Sequence, residues 1–373
     1  MKPPKMLLRW YFVWWWCHFV VGGFIITSSG FFHLPLPSRG GKNHFQAYER
    51  STSAIKATPV REDIRYIAGR RALLHPAPSK QPNNDPISHP PLVILGGMAQ
   101  SIASWEFHLP YFAKDRSVLI YECLGQGPYP PEEICPDLDT SYYADVSLKR
   151  QGIDFWSVVD EAFFTPGSYY HDSNDGVLDK AKVDVVGFSF GGRVAMAAAL
   201  SQPNRIRRMH LTGVGAERDE YANVILSSWK DMLQNEDNDA DSSGLRAFAW
   251  SIILATYSEQ FLGSVGSARV QTWVDSVCQF NTQRGLRAIL MQTHGGKEGQ
   301  WTPASMAEQM KGFIESYRLV VGSRDKMVST HQVQRLDQLL GGNDSYRVFE
   351  NCGHAVPFEA MRLWREDVIK YLS

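Results

Sequence analysis

Short apolar runs that stop at glycine recur along this chain. Pro91-Leu-Val-Ile-Leu95 ends at Gly96-Gly97, Ser117–Tyr121 leads to Gly125-Gln-Gly127, Val183–Val186 halts at Gly187, and Tyr317–Val321 halts at Gly322. Ile206–Val214 and Tyr346–Phe349 belong to the same set, and Ile64–Ile67 alternates as an earlier strand. Runs of this length with turn residues at their ends predict strands buried on both faces. Between them lie stretches at helical spacing. Gln151–Phe164 carries apolar residues at 153, 156, 159 and 163, and Trp105–Lys114, Gly191–Leu200, Gln332–Leu340 and Phe358–Leu372 also read as helices. The six prolines of His75–Pro91 predict a loop.

From Ala216 to about Lys311 the strand rhythm stops and helices separated by polar breaks take over. One break, Glu236–Asp241, is acidic but lacks the glycine turn and distal glutamate of a calcium loop, so it reads as solvated loop. The expectation is an α/β fold: a mostly parallel sheet with helices on both faces over 61–215 and 312–373, and a helical cap inserted at 216–311. In such sheets ligands bind outside the carboxyl ends of the strands.

Charge separates off the beginning of the chain. Net charge is −1 overall, yet residues 1–60 hold seven Lys/Arg against Glu49 alone, which leaves −7 on the remainder. Lys2, Lys5 and Arg9 precede the stretch Trp10–Ile26, whose one titratable side chain other than Cys17 and Tyr11 is His18, and Thr27-Ser-Ser-Gly30 follows. A basic start, an apolar middle and a small-residue exit make a signal peptide or short anchor. Phe31 and a basic, Ser/Thr-containing segment come next, which resembles the bipartite presequences of algae with secondary plastids. Plastid targeting is therefore expected for 1–60, with secretion or an ER or membrane anchor as alternatives. Membrane contact is expected through residues 10–26 alone, if they are retained. The near-zero net charge points to no nucleic-acid partner. The five scattered cysteines form neither a disulfide framework nor a zinc spacing, so free thiols, no metal and no cofactor are expected.

The strand exits carry the candidate chemistry. Gly187-Phe-Ser189-Phe-Gly191 joins a strand to a helix. A sharp turn of that kind exposes its central side chain, and the residues two before and two after must be tiny. Ser189 is then a nucleophile at a helix amino end, where free N–H groups favour negative charge. A serine needs a base, and His354 follows the last strand. The base needs an orienting acid; Asp325, just past the preceding strand and 29 residues before His354, is the candidate, with Glu217 as the alternative. The amides of Phe190 and Met98 are expected to hold the oxyanion. His294, in the cap, is a candidate substrate contact. The cap aromatics (Trp229, Phe248, Trp250, Tyr257, Phe261, Trp273, Phe280) suggest an apolar substrate or simply pack the cap.

The order Ser189, Asp325, His354 resembles that of the α/β-hydrolase family, over about residues 61–373. The resemblance implies a serine hydrolase acting on an ester or thioester of an apolar small molecule. Gly96-Gly97 departs from the His-Gly that many members carry, which removes a side chain that braces the oxyanion loop. The Gly-Gly-Arg-Val-Ala-Met run after Ser189 is similar to the elbow of the menaquinone-pathway lyase branch, so a triad-dependent lyase is one alternative. A low-turnover ligand-binding protein and a membrane-tethered scaffold are others. A serine in place of aspartate disfavours dehalogenase and epoxide hydrolase chemistry.

Overall fold

The computed structural model describes residues 63–77, 89–128, 130–131, 143–165, 182–234, 243–294, 299–312, 316–342 and 344–373. The chain divides into units 1–58 and 59–373, and the described residues belong to the second. The presequence segment 1–60 and the acidic run 236–241 lie outside the described residues.

Among the described residues eight strands form one sheet: β1 (Ile64–Ile67), β2 (Arg70–His75), β3 (Leu92–Leu95), β4 (Val118–Tyr121), β5 (Val183–Phe188), β6 (Ile206–Thr212), β7 (Ser316–Gly322) and β8 (Tyr346–Phe349). Their order is β1-β2-β4-β3-β5-β6-β7-β8. β1, β2 and β4 pair antiparallel, and every pairing from β4 to β8 is parallel. The unbroken apolar runs follow from burial on both faces. Val93, Leu95, Leu119, Tyr121, Val183 and Val185 face one core cluster, while Leu92, Ile94, Val118, Ile120, Val186 and Phe188 face the other.

Two helices cover the first face beside the central strand, α1 (Leu148–Val159) and α2 (Phe190–Ser201). α2 is buried from Phe190 to Ala199, which explains its apolar character all round. Between β6 and β7 run α3 (Glu220–Met232), α4 (Ser243–Thr256), α5 (Glu259–Val265), α6 (Ser267–Phe280), α7 (Gln283–Thr293) and α8 (Pro303–Met310). The two ends of this insertion meet, since the Ala304 amide donates to the Ala216 carbonyl. α9 (Thr330–Leu340) follows β7, and α10 (Met361–Leu372) closes the chain against the second face.

Three sequence expectations need correction. β2 was not foreseen, because Arg70 and Arg71 make its start look polar; each is paired in the fold, Arg70 with Asp154 at 2.8 Å and Arg71 with Glu122 at 3.0 Å. Ala68 (φ 46°) and Gly69 (φ 74°) form the tight turn that returns β2 onto β1. The helix expected over 105–114 is instead two 3₁₀ turns and one α turn, Leu109–Phe112, in a segment that carries Pro110. The final helix begins at Met361, after a separate turn Val356–Glu359, because Ala360 leaves helical geometry at ψ 39°.

Candidate active site

The exit of β5 places Ser189. Its backbone sits at φ 52°, ψ −114°, a region that non-glycine residues avoid unless the surroundings enforce it. Here the Ser189 N–H donates to Thr212 O on β6 at 2.8 Å, while α2 starts at the next residue. A Cβ at Gly187 would lie 2.6 Å from Gly192 Cα, and one at Gly191 would lie 2.5 Å from the Gly96 carbonyl oxygen. Both glycines are thus required by close backbone approach. The second approach also presses the start of α2 against the exit of β3.

β7 and β8 are parallel neighbours, so their exits lie side by side. Ser323 N donates to Phe349 O at 2.9 Å and Arg324 N to Cys352 O at 2.8 Å, joining the loop of Asp325 to the loop of His354. The three predicted side chains meet there. His354 Nε2 lies 2.8 Å from Ser189 Oγ, and His354 Nδ1 lies 2.7 Å from Asp325 Oδ2. The second carboxylate oxygen accepts from the amides of Met327 (2.7 Å) and Val328 (2.9 Å), so the carboxylate cannot swing away. Only 3% of the imidazole and 1% of the carboxylate reach solvent, which protects this chain of hydrogen bonds from competition by water.

The base loop has a further support. Glu359 Oε1 accepts from Gly353 N, next to His354, at 3.0 Å and from Ser258 N at 2.9 Å. Its other oxygen accepts from Ser258 Oγ. Burial pushes this carboxyl up, and its hydrogen bonds to Ser258 and Gly353 pull it back. Ala355 N also donates to Thr256 O at 2.9 Å, so the corner between α4 and α5 grips the base loop twice.

Phe190 is the first residue of α2, and a first-turn amide has no carbonyl partner within its helix. Met98 lies in the loop that leaves β3, against which Gly191 packs. The two expected donor residues therefore stand on abutting segments. Within that loop Gln100 Oε1 accepts from Gly97 N (2.7 Å) and Trp105 Nε1 (3.1 Å), which braces the turn from inside.

Two expectations fail. Glu217 is half-exposed and pairs with Arg335 at 3.1 Å, leaving Asp325 as the acid at His354. His294 is not a substrate contact: Thr293 Oγ1 lies 2.6 Å from its Nδ1 and Arg193 Nη1 lies 3.3 Å from its Nε2. Burial, with Arg218, Arg193 and Lys230 around it, holds the ring well below its ordinary titration range, so it stays neutral. Among the aromatics, Trp229 and Phe248 are buried and meet edge to face at 5.5 Å, which makes them packing groups. Tyr257 stacks at 5.6 Å on Phe261 and at 5.2 Å on Trp273, and all three are half-buried.

Sequence reasoning missed Gln100 and Glu359. Gln100 could have been found, being three residues beyond the glycine it holds. Glu359 could not: Gly353 lies six residues before it, but the second partner, Ser258, is 101 residues away.

Known proteins share this arrangement of elements. The alpha/beta hydrolase family matches residues 92–365. A 2-hydroxymuconate semialdehyde hydrolase from Pseudomonas sp. (strain CF600) is 33% identical over 273 residues, covering 67% of this chain and 85% of that protein. The solved enol-lactonase of Burkholderia xenovorans LB400 superposes with a TM-score of 0.58 at 15% identity, covering 83% of this chain and 99% of that one. A meta-cleavage product hydrolase from Pseudomonas fluorescens IP01 gives 0.55 at 18% identity, over 83% and 97%. Matched across most of its length and folded on the same sheet, the chain belongs to the alpha/beta hydrolase family and is a hydrolase.

Proposed function

We propose that this protein is a serine hydrolase that cleaves an ester or thioester of an apolar small molecule through an acyl-enzyme. The observation that carries the reading is the pair of hydrogen bonds Ser189–His354 (2.8 Å) and His354–Asp325 (2.7 Å) in a water-poor setting. In the first half-reaction Ser189 Oγ attacks the carbonyl carbon while its proton passes to His354 Nε2. Asp325 accepts the Nδ1–H bond, fixes the tautomer and stabilises the imidazolium. The oxyanion forms toward the amides of Phe190 and Met98 and the amino end of α2. Collapse breaks the bond to the leaving oxygen or sulfur, which takes the proton from Nε2. Water then attacks the acyl group with His354 again as base, and Ser189 regains its proton.

The half-buried stack Tyr257–Phe261–Trp273 supports an apolar substrate. A second reading has a specific source. The substrate named for the Pseudomonas relative is a semialdehyde, a compound class without an ester, so hydrolysis beside a ketone or aldehyde carbonyl is the alternative. p-Nitrophenyl esters from acetate to palmitate, assayed beside 2-hydroxymuconate semialdehyde, separate the two. Ser189→Ala is expected to lower ester turnover about 10⁶-fold and to abolish labelling by a fluorophosphonate probe. Ester turnover that survives Ser189→Ala would exclude the acyl-enzyme.

A further inference from the structure

The loop that leaves β3 is held in an uncommon conformation. Gln100 N donates to Gly97 O at 3.2 Å, closing a four-residue turn through Met98 and Ala99. Ala99, the third residue, has φ 64°. That position in such a turn ordinarily takes glycine, and a side chain there is strained by about 1–3 kcal/mol. Strain of this kind persists only where contacts from outside the segment impose it. Gln100 acts from within the turn and cannot supply all of that constraint.

The outside contact comes from the helical insertion. Asn281, between α6 and α7, is buried (6% exposed), and its Nδ2 donates to the Ala99 carbonyl at 3.0 Å across 182 residues of sequence. The same amide nitrogen donates to Val277 O at 3.1 Å, and Oδ1 faces Gly127 N at 3.5 Å. Two carbonyls on one side and an N–H on the other fix which end of the amide is which. The neighbouring backbone leaves Asn281 little freedom. A Cβ at Gly285 would meet the Gly125 carbonyl, so the start of α7 lies flush against the exit of β4.

We propose that Asn281 is a positioning residue for the oxyanion site: from the insertion it holds the Ala99 carbonyl, and through that turn it sets the direction of the Met98 amide. The proposal rests on the reading of Ser189 as nucleophile. The insertion is then more than a wall for the substrate. It completes the part of the catalytic apparatus that many family members brace with a histidine in the loop itself, where this chain has Gly96.

Asn281→Asp tests this, since a carboxylate of equal size cannot donate to Ala99 O. Ester kcat is expected to fall about 10- to 100-fold with KM within about threefold, somewhat less than outright loss of an oxyanion donor. Affinity for an alkyl boronic acid, which forms a tetrahedral adduct on Ser189, should fall by the same factor as kcat/KM. Inhibition by the carboxylate product, which mimics the ground state, should not change. Should the aspartate variant fail to fold, Asn281→Ser removes the amide without adding charge and carries the same expectation. Unchanged kcat and boronate affinity overturn the proposal. So do equal losses of boronate and product affinity, which mark mere loosening of the pocket. A wild-type protein that neither hydrolyses esters nor binds the boronate refutes the nucleophile reading, and this one with it.

Discussion

Gly191→Ala tests how closely the nucleophile turn and the oxyanion loop must approach. The new Cβ would lie 2.5 Å from Gly96 O and 2.6 Å from Leu95 C, whereas real Cβ atoms essentially never come within 3.0 Å of such neighbours. The Leu95 carbonyl oxygen is nearer still, so the two segments must part by about 0.6 Å to reach that floor. Both obstacles are backbone, one strand exit and one helix start, so no rotamer change can absorb the shift. Those segments carry Phe190 and lead into Met98, so the parting disturbs the two residues expected to hold the oxyanion. A misplacement of about 1 Å at an active site is worth about a hundredfold in rate, so about 0.5–1 Å predicts a loss of ten- to a hundredfold in kcat. Overpacking of this kind also destabilises by about 1–3 kcal/mol. Turnover of a p-nitrophenyl ester and urea unfolding read the two effects. Gly263→Ala is the control: nothing lies within 4 Å of its Cβ, it sits inside α5, and it should stabilise by about 0.5–1 kcal/mol with kcat unchanged. Full activity together with wild-type stability in Gly191→Ala would refute the close-approach argument.

Asp325→Asn is expected to lower kcat about 10⁴-fold by disturbing the tautomer of His354, while Glu217→Gln leaves it unchanged; the reverse result would reassign the acid. Glu359→Gln removes the charge from three hydrogen bonds and should destabilise by about 1–3 kcal/mol in urea unfolding, with full stability counting against its bracing of Gly353. His108, buried and accepting from Arg365 Nε at 2.9 Å, is held down to about 2 by burial and by that guanidinium. The unfolded chain takes up this proton below about pH 6.5 and the folded chain does not, so stability is present above that pH and drains away as pH falls, by about 1.4 kcal/mol per unit. His108→Asn should flatten the slope between pH 6 and 4 by one proton's worth, measured as unfolding free energy against pH; an unaltered slope removes His108 as its source. For residues 1–60 we propose a cleavable presequence that directs the protein to a plastid. A fluorescent fusion lacking them should change its distribution, and an unaltered pattern removes that role.

Much of the architecture could be read without coordinates because its signals are local. A strand buried on both faces must be apolar throughout, so β3, β4 and β5 announce themselves, and the crowding around Ser189 demands small residues at 187 and 191. The loop positions of Ser189, Asp325 and His354 just after strands follow from the same runs. What the runs could not convey is any pairing between residues remote along the chain. Arg70 and Arg71 disguised β2 because their carboxylate partners lie 84 and 51 residues away. Asp325 was the first candidate on paper with Glu217 as the alternative; the adjacency of β7 and β8 brings the former to the imidazole, and the latter pairs with Arg335 at the surface. His294 looked available until the fold engaged both of its nitrogens. Asn281 and Glu359 carried no periodic signal, since hydrogen bonds to partners far along the chain leave no trace in neighbouring residues. Sequence by itself determined which segments would be buried and where a strained turn must fall, because burial and crowding act on adjacent residues. The tertiary structure alone decided which distant side chains share a hydrogen bond, because that depends on sheet order and on how the insertion closes over it.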